Sequence, residues 1–524
     1  MAAQCRMQSQ QHPSPVFEGS GCPGVGGDAR GGIGLLDVGR GVLGEAGKFE
    51  AGERVGADHA ITAARSLGVG VGVEEFAEPI GDMCEFVRGG GGAGDVRVHH
   101  ASLSSVNGWI AAYGTANLRY SIFMVSRELR HALRGVEAPV AVIDLEAFDA
   151  NVTALAQRAQ GLPIRIATKS LRTPAAIERA LAHPAYSGVF AFSLPEALIL
   201  HARGVRDILV GYPTVDRASL TQMFAEAGAT ENITLMIDCP THLDIIDSAR
   251  RDAAAAGGTA QTVRVCIDID ASYRLGSGVL SSRIHIGARR SPIRDSASAV
   301  DLAEHVIARP ETNLVGLMSY EGQVAGTADA GPTAKQAMVR VMQKRSIAEL
   351  KVRRRSVVDA VRELTDLEFV NGGGTGSFES SVAEGTLTEL AAGSGLFSPG
   401  LFDGYTHFRH EPAAYFATPV VRRPGPGWVT VFKGGFIASG VPGADRVPTI
   451  AWPPGLDYAG LEGAGEVQTP LTGPGTEDLR IGDLVWFRHA KAGELAEHFN
   501  EFLVVAGTQI IDSWSTYRGQ GWVL

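Results

Sequence analysis

The chain has 524 residues, 45% of them hydrophobic, and a formal net charge of −10. That size and apolar content can fill the core of more than one domain. The acidic balance excludes the basic footprint of a nucleic-acid binder, and no apolar run reaches the length of a membrane helix, so the expected partners are small molecules.

Cys5, Cys22, Cys84, Cys239 and Cys266 stand at unrelated spacings, with neither a C-x-x-C pair nor a disulfide ladder, which points to a reducing cytoplasm. No cationic stretch followed by an apolar run opens the chain, so no secretory signal is expected. Over the first hundred residues glycine supplies roughly a quarter of the positions, against about 7% in average proteins, and Lys48 is the only lysine. Runs such as GVGGDARGGIG carry no period of 3.6 or 2. Residues 1–123 are therefore expected to be a disordered low-complexity segment, or an extension upstream of a true start at Met124. Gly31-Gly32-x-Gly34 lacks the lysine and hydroxyl that a phosphate loop needs.

From residue 124 to 405 strand and helix signals alternate. PVAVIDL precedes an amphipathic helix with Phe148, Val152 and Leu155 on one face, and IRIATKSL follows. Further strands are GVFAFS (188–193), DILVGYP (207–213), ITLMID (233–238), VRVCIDID (263–270), LVGLMSY (314–320) and LEFVNGG (367–373). Eight strands, each apolar throughout, are what parallel strands buried on both faces look like, and they argue for a (β/α)8 barrel. A doubly wound sheet is the competing architecture. In a barrel, chemistry sits at the C-terminal strand ends, where Lys169, Ser193, Tyr212, Asp238, Arg274, Tyr320 and Asn371 fall. Lys169 is either a solvated strand-end cation or a Schiff-base lysine desolvated at the barrel mouth. KVRRR, within the basic helix 346–363, reads as a solvated face.

Two glycine loops follow, Asn371-Gly372-Gly373-Gly374-Thr375-Gly376-Ser377 and, after a short helix, Glu389-Leu390-Ala391-Ala392-Gly393-Ser394-Gly395-Leu396. Their backbone N–H groups and hydroxyls suit a phosphate cup, and a tight strand-to-helix turn would use the same residues. The order of Lys169, Tyr273-Arg274-Leu275-Gly276, GLMSYEG (316–322), GGGTGS and the AAGSGLF strand resembles the barrel of fold-type III pyridoxal-phosphate enzymes. Within that group it is similar to the D-threonine aldolase and D-serine dehydratase branch, with the alanine racemase N-terminal barrel and actinobacterial amino acid deaminase/aldolases. The resemblance covers roughly residues 125–524. It implies that Lys169 holds pyridoxal 5'-phosphate, that Arg274 faces the pyridine nitrogen, and that Tyr212, Gly373, Gly374, Thr375, Ser394 and Gly395 also bind the cofactor.

Residues 406–524 read as a smaller antiparallel β domain of glycine- and proline-punctuated strands. The resemblance implies that this domain caps a partner's barrel mouth in a homodimer with composite sites. It also implies a divalent metal, zinc or manganese, on a histidine matched by His489. Two residues on, where relatives carry Cys or Asp, stands Lys491. Either Glu494 substitutes as an oxygen ligand, or the metal is missing and Lys491 supplies positive charge in its place. The expected function is a lyase acting on a β-hydroxy D-amino acid by aldol cleavage or dehydration. Lys169, His489 and Tyr320 are its expected catalytic residues. The alternatives are a racemase using Tyr320 or Tyr517 opposite Lys169, a non-catalytic cofactor carrier, and a barrel in which Lys169 is only structural.

Overall fold

The computed structural model describes residues 125–257, 261–275 and 285–524; the segment 1–123, Met124 and Gly276 fall outside the described residues. β1 (Val140–Asp144) leads directly into the helix Leu145–Arg158, whose first turn is capped by the Asp144 carboxylate accepting from the Ala147 N–H. The helix buries Phe148, Val152 and Leu155, the face read from its periodicity.

A closed barrel follows. Its strands, in spatial as well as chain order, are β2 (Ile164–Ala167), β3 (Tyr186–Ala191), β4 (Ile208–Val210), β5 (Ile233–Ile237) and β6 (Val263–Asp268). β7 (Tyr273–Arg274) and β8 (His285–Ile286) form a separate antiparallel ladder. β9 (Thr312–Ser319), β10 (Phe369–Gly372) and β11 (Glu389–Ala392) complete the ring, β11 pairing parallel with β2 through Leu390 and Ile164. Every residue of β4 and β5 is buried, as the apolar-throughout pattern requires of strands covered on both faces. Inside, Phe190, Leu209, Met236, Cys266, Val315, Met318 and Phe369 pack as one cluster. Gly211 and Gly316 make room for two of these rings: a β-carbon would lie 1.8 Å from Phe190 and 2.4 Å from Phe369.

The eight-strand count was right and one of its members was not. PVAVIDL, read as a barrel strand, contains β1, which sits in a second, nine-stranded sheet. There it pairs antiparallel with β12 (Ala414–Gly425) through Val142 and Tyr415, and parallel with β18 (Glu501–Ala506) through Val142 and Leu503. Ala141 and Ile143 join the main core while Val142 faces a cluster with Leu129, Tyr415 and Trp486, so β1 is covered on both faces just as a barrel strand is. Periodicity cannot tell the two settings apart. The eighth place belongs to β11, a four-residue run beginning with Glu389. The rest of this sheet comprises β13 (Trp428–Phe432), β14 (Thr449–Trp452), β15 (Asp457–Tyr458), β16 (Gln468–Thr472), β17 (Leu484–Arg488) and β19 (Gln509–Ser515). Its pairs are antiparallel apart from β1 with β18.

The long helix Ala334–Arg362 corrects a second expectation. Arg354 is not solvated: its side chain is 2% exposed and pairs with Glu321 at 2.8 Å and Glu384 at 2.5 Å. Leu350, Arg354, Val357, Val358 and Val361 form one buried face at helical spacing, and Arg354 belongs to it. Arg353 also turns inward, donating to the Asp270 and Ser272 carbonyls.

Candidate active site

A cavity of about 950 Å³ opens at the C-terminal end of the barrel. β2 ends at Ala167, and a single 3-10 turn, Thr168–Ser170, carries Lys169 into it. The Lys169 Nζ donates to the Tyr212 Oη at 2.7 Å. Burial alone would raise the Tyr212 phenol, but the Lys169 ammonium and Arg290 outweigh it and hold it below its ordinary value. The Arg290 guanidinium lies 5.4 Å from the ring centres of both Tyr212 and Tyr320. Tyr320 is pushed up to about 12 by burial and by the neighbouring Glu321 carboxylate.

Of the residues expected at the mouth, Lys169, Tyr212, Tyr320 and Asn371 line this cavity. Ser193, Asp238 and Arg274 do not. Ser193 caps the helix Leu194–Ala202, and Asp238 pairs with His242 at 3.2 Å. Arg274 turns to Asp270, with an Nη2 to Oδ2 distance of 2.7 Å. The arginine that faces the cavity is Arg290, in a loop without periodic pattern, and the sequence carried no signal for it. Asp268, at the end of β6, was also passed over. Burial pushes it up to about 7 despite Arg290, with Asp238 and Asp270 adding to the rise.

The two glycine loops meet in the cavity that holds Lys169. Gly373, Gly374, Thr375 and Ser394 line the cavity, and the Thr375 and Ser394 hydroxyls face each other at 3.4 Å. Gly395 stands behind, its N–H donating to the Thr375 Oγ1 at 3.1 Å. Side chains are shut out: a β-carbon on Gly393 would lie 2.3 Å from the Ala167 carbonyl oxygen, and one on Gly374 3.0 Å from the Tyr320 ring. The first loop is held from below. The Gly374 N–H donates to the Ser377 Oγ, while the Ser377 and Ser381 hydroxyls donate to the Glu321 Oε1 at 2.9 and 2.6 Å. Burial opposes the Glu321 charge, yet Arg354 and these hydroxyls keep its carboxyl below the ordinary range. A glycine cup with two hydroxyls, sharing one cavity with a lysine and two tyrosines, fits a phosphorylated aldehyde cofactor.

The C-terminal segment closes the other side. Ser439, Arg446, Lys491, Gly493 and Glu494 reach the cavity of their own chain, where the resemblance had placed this part over a partner's mouth. Lys491 donates to the Ser439 Oγ at 2.6 Å, and the Glu494 Oε1 accepts from the Ser439 N–H at 2.9 Å. Burial lowers the Lys491 ammonium, against Glu494 and with Arg446 and Lys169. Burial would raise Glu494, but its hydrogen bonds to Ser439 and the Lys491 charge hold it low.

His489 is not brought into the cavity. It is 2% exposed, its Nδ1–H donates to the Ala414 carbonyl, and its Nε2 is buried without a partner. Burial, with Arg488 beside it, pushes it down to about 3. Tyr517 is likewise occupied elsewhere, donating to the Glu196 Oε1 at 2.8 Å. A metal on His489 and Glu494 does not fit this donor set: the imidazole lone pair is sealed away from the cavity, Glu494 is tied to Ser439, and an ammonium stands between them in sequence. Among the described residues, one group of three metal-ligating side chains lies close enough to share an ion, Asp238, Cys239 and His242, and none of them lines the cavity.

The parallel eight-stranded barrel carries a lysine at a strand end and a glycine cup in one cavity at its C-terminal mouth, the end where barrels of this kind place their chemistry. Residues 143–360 match the family model "Alanine racemase, N-terminal domain". The chain is 26% identical over 336 residues, 63% of its length and 79% of the relative's, to a D-threonine aldolase of Arthrobacter sp.. Among solved structures, D-threonine aldolase from Filomicrobium marinum superposes with a TM-score of 0.61 at 21% identity, covering 74% of this chain and 96% of that one. A D-threo-3-hydroxyaspartate dehydratase, in a cysteine-to-alanine mutant described as the metal-free form, gives 0.56 at 19% identity, with 74% and 98% covered. These matches show the fold: the barrel is similar to the alanine racemase N-terminal domain and to the barrels of the aldolase and dehydratase structures.

Proposed function

We propose that the protein is a pyridoxal-phosphate-dependent lyase acting on a β-hydroxy D-amino acid, with Lys169 as the residue that holds the cofactor. The supporting observation is the 2.7 Å contact of the Lys169 Nζ with Tyr212 inside a cavity that also contains Gly373, Gly374, Thr375 and Ser394. Bound there, the cofactor supplies an electron sink for the pair left on the substrate Cα when a bond to it breaks.

The chain's own residues divide the remaining work. Tyr212 aims the lysine amine, and the Thr375 and Ser394 hydroxyls donate to the phosphate. Arg290 sets a fixed positive charge along the wall formed by Tyr212 and Tyr320. The C-terminal segment narrows access for water. Once its amine is free, Lys169 Nζ is the group placed to take the α-proton in a dehydration; in an aldol cleavage it has no proton to take from Cα. A homodimer and a cytoplasmic location are part of the same proposal. No helix among the described residues is long and apolar enough to cross a membrane.

Incubation of the purified protein with D-threonine and D-serine tests this reading. Aldehyde plus glycine marks aldol cleavage, and keto acid plus ammonia marks dehydration. Exchange of the α-hydrogen with solvent deuterium and loss of configuration, without β-products, would replace the lyase by a racemase. That outcome requires an acid on the second face, for which Tyr320 is in the cavity and Tyr517 is not.

A further inference from the structure

We propose that the Lys491 ammonium binds the oxygen on the substrate's β-carbon, doing the work that the sequence resemblance assigned to a divalent cation on His489 and Glu494, and that this site takes no divalent metal. The inference rests on the lyase reading above and names the group that recognises its substrate.

Three observations carry it. The donors for a metal are spent or sealed: the His489 Nδ1–H is on the Ala414 carbonyl, its Nε2 is buried in a residue that does not line the cavity, and the Glu494 Oε1 accepts from Ser439. Lys491, in contrast, does line the cavity. An ammonium has three N–H groups and no lone pair, so it repels a cation and attracts an oxygen. One N–H goes to the Ser439 Oγ, and among the described residues no carboxylate forms an ion pair with it, which leaves two for a ligand.

Its position is also fixed relative to the reacting lysine. Gly493 has a φ of +94°, and a β-carbon there would lie 2.2 Å from the Lys169 carbonyl oxygen, so the Lys491 loop rests directly on the Lys169 backbone. Cleavage or dehydration at Cβ builds negative charge on the β-oxygen. A preorganised cation beside that oxygen favours the charged state. Ser439 holds the ammonium and Glu494 in turn holds Ser439, without a direct ion pair to neutralise the charge.

The test uses the purified full-length holoenzyme. Elemental analysis is expected to find divalent metal far below one equivalent per chain, and dialysis against EDTA is expected to leave turnover of a β-hydroxy amino acid unchanged. Lys491→Met should lower kcat/KM for that substrate by about 100-fold or more, and Lys491→Arg should restore part of it. Both variants should keep the wild-type cofactor absorbance and the borohydride-trapped adduct at Lys169. Stoichiometric metal, or turnover lost to EDTA and restored by Mn2+ or Zn2+, overturns the proposal, as does wild-type turnover in Lys491→Met. A wild-type protein without cofactor absorbance defeats the lyase reading and this inference together, and the spectrum distinguishes that failure from the others.

Discussion

Gly493 lies against the carbonyl oxygen of Lys169, in a backbone conformation that L side chains rarely adopt and with no room for a β-carbon. This contact joins the C-terminal segment to the strand end that carries Lys169, and it turns two distant stretches of sequence into one wall. Gly493→Ala should therefore push the 491–494 loop off Lys169. The expected result is a loss of about 1–3 kcal/mol in stability and a larger fall in kcat/KM than that loss explains. Urea unfolding and steady-state kinetics on one preparation measure both, and an alanine variant with unchanged kinetics would show that the two segments act independently.

Tyr212 has a separable role. Tyr212→Phe keeps the ring against Phe190 and Arg290 but removes the hydroxyl from Lys169. Turnover should fall about 10- to 100-fold, while the cofactor stays bound because the glycine cup is untouched. Parallel loss of cofactor and activity would contradict that division.

Arg354 holds the first glycine loop at second hand, through Glu321 and the hydrogen bonds it accepts from Ser377 and Ser381. Arg354→Met leaves Glu321 and Glu384 buried without their counter-charge, a loss of about 3–5 kcal/mol. The stronger expectation is weaker cofactor retention at a pH and temperature where the variant is still folded. Dialysis against buffer, followed by absorbance, reads it.

His489 is a structural histidine by its geometry, and its titration gives that claim a sign. Its folded pKa, about 3, lies below its ordinary value of 6.5. Between those values the unfolded chain binds a proton that the folded chain does not, so stability falls as pH drops from about 6.5 toward 3. His489→Gln removes that proton uptake. Its unfolding free energy should fall less than the wild type's between pH 7 and about pH 5, by roughly 2 kcal/mol. Turnover abolished at every pH with stability unaffected would instead make His489 catalytic.

Much of this site was legible because barrels place chemistry at strand ends. A lysine after IRIAT, tyrosines after ILVG and LVGLMS, and the GGGTGS turn are local patterns, and the fold brings them together. What stayed hidden depends on partners far apart in sequence. Arg274, in β7, and Arg290, in the loop after β8, both lie between β6 and β9, and only the packing of Tyr212 and Tyr320 selects the second. β1 and β11 exchanged places because an apolar strand buried on two faces reads alike in a barrel and in a mixed sheet, while ELAA is too short and too weakly β-branched to stand out. The buried Arg354 could have been found: it recurs with Leu350, Val357 and Val361 at helical spacing, and its charge alone suggested solvent.

The measurement closest to the central claim is reductive trapping of the purified chain with borohydride, followed by peptide mass mapping. The account predicts loss of the cofactor's visible absorbance and a pyridoxyl adduct on the peptide containing Lys169, absent in Lys169→Ala. A colourless protein, an adduct confined to another lysine, or an unchanged spectrum in the alanine variant would contradict it.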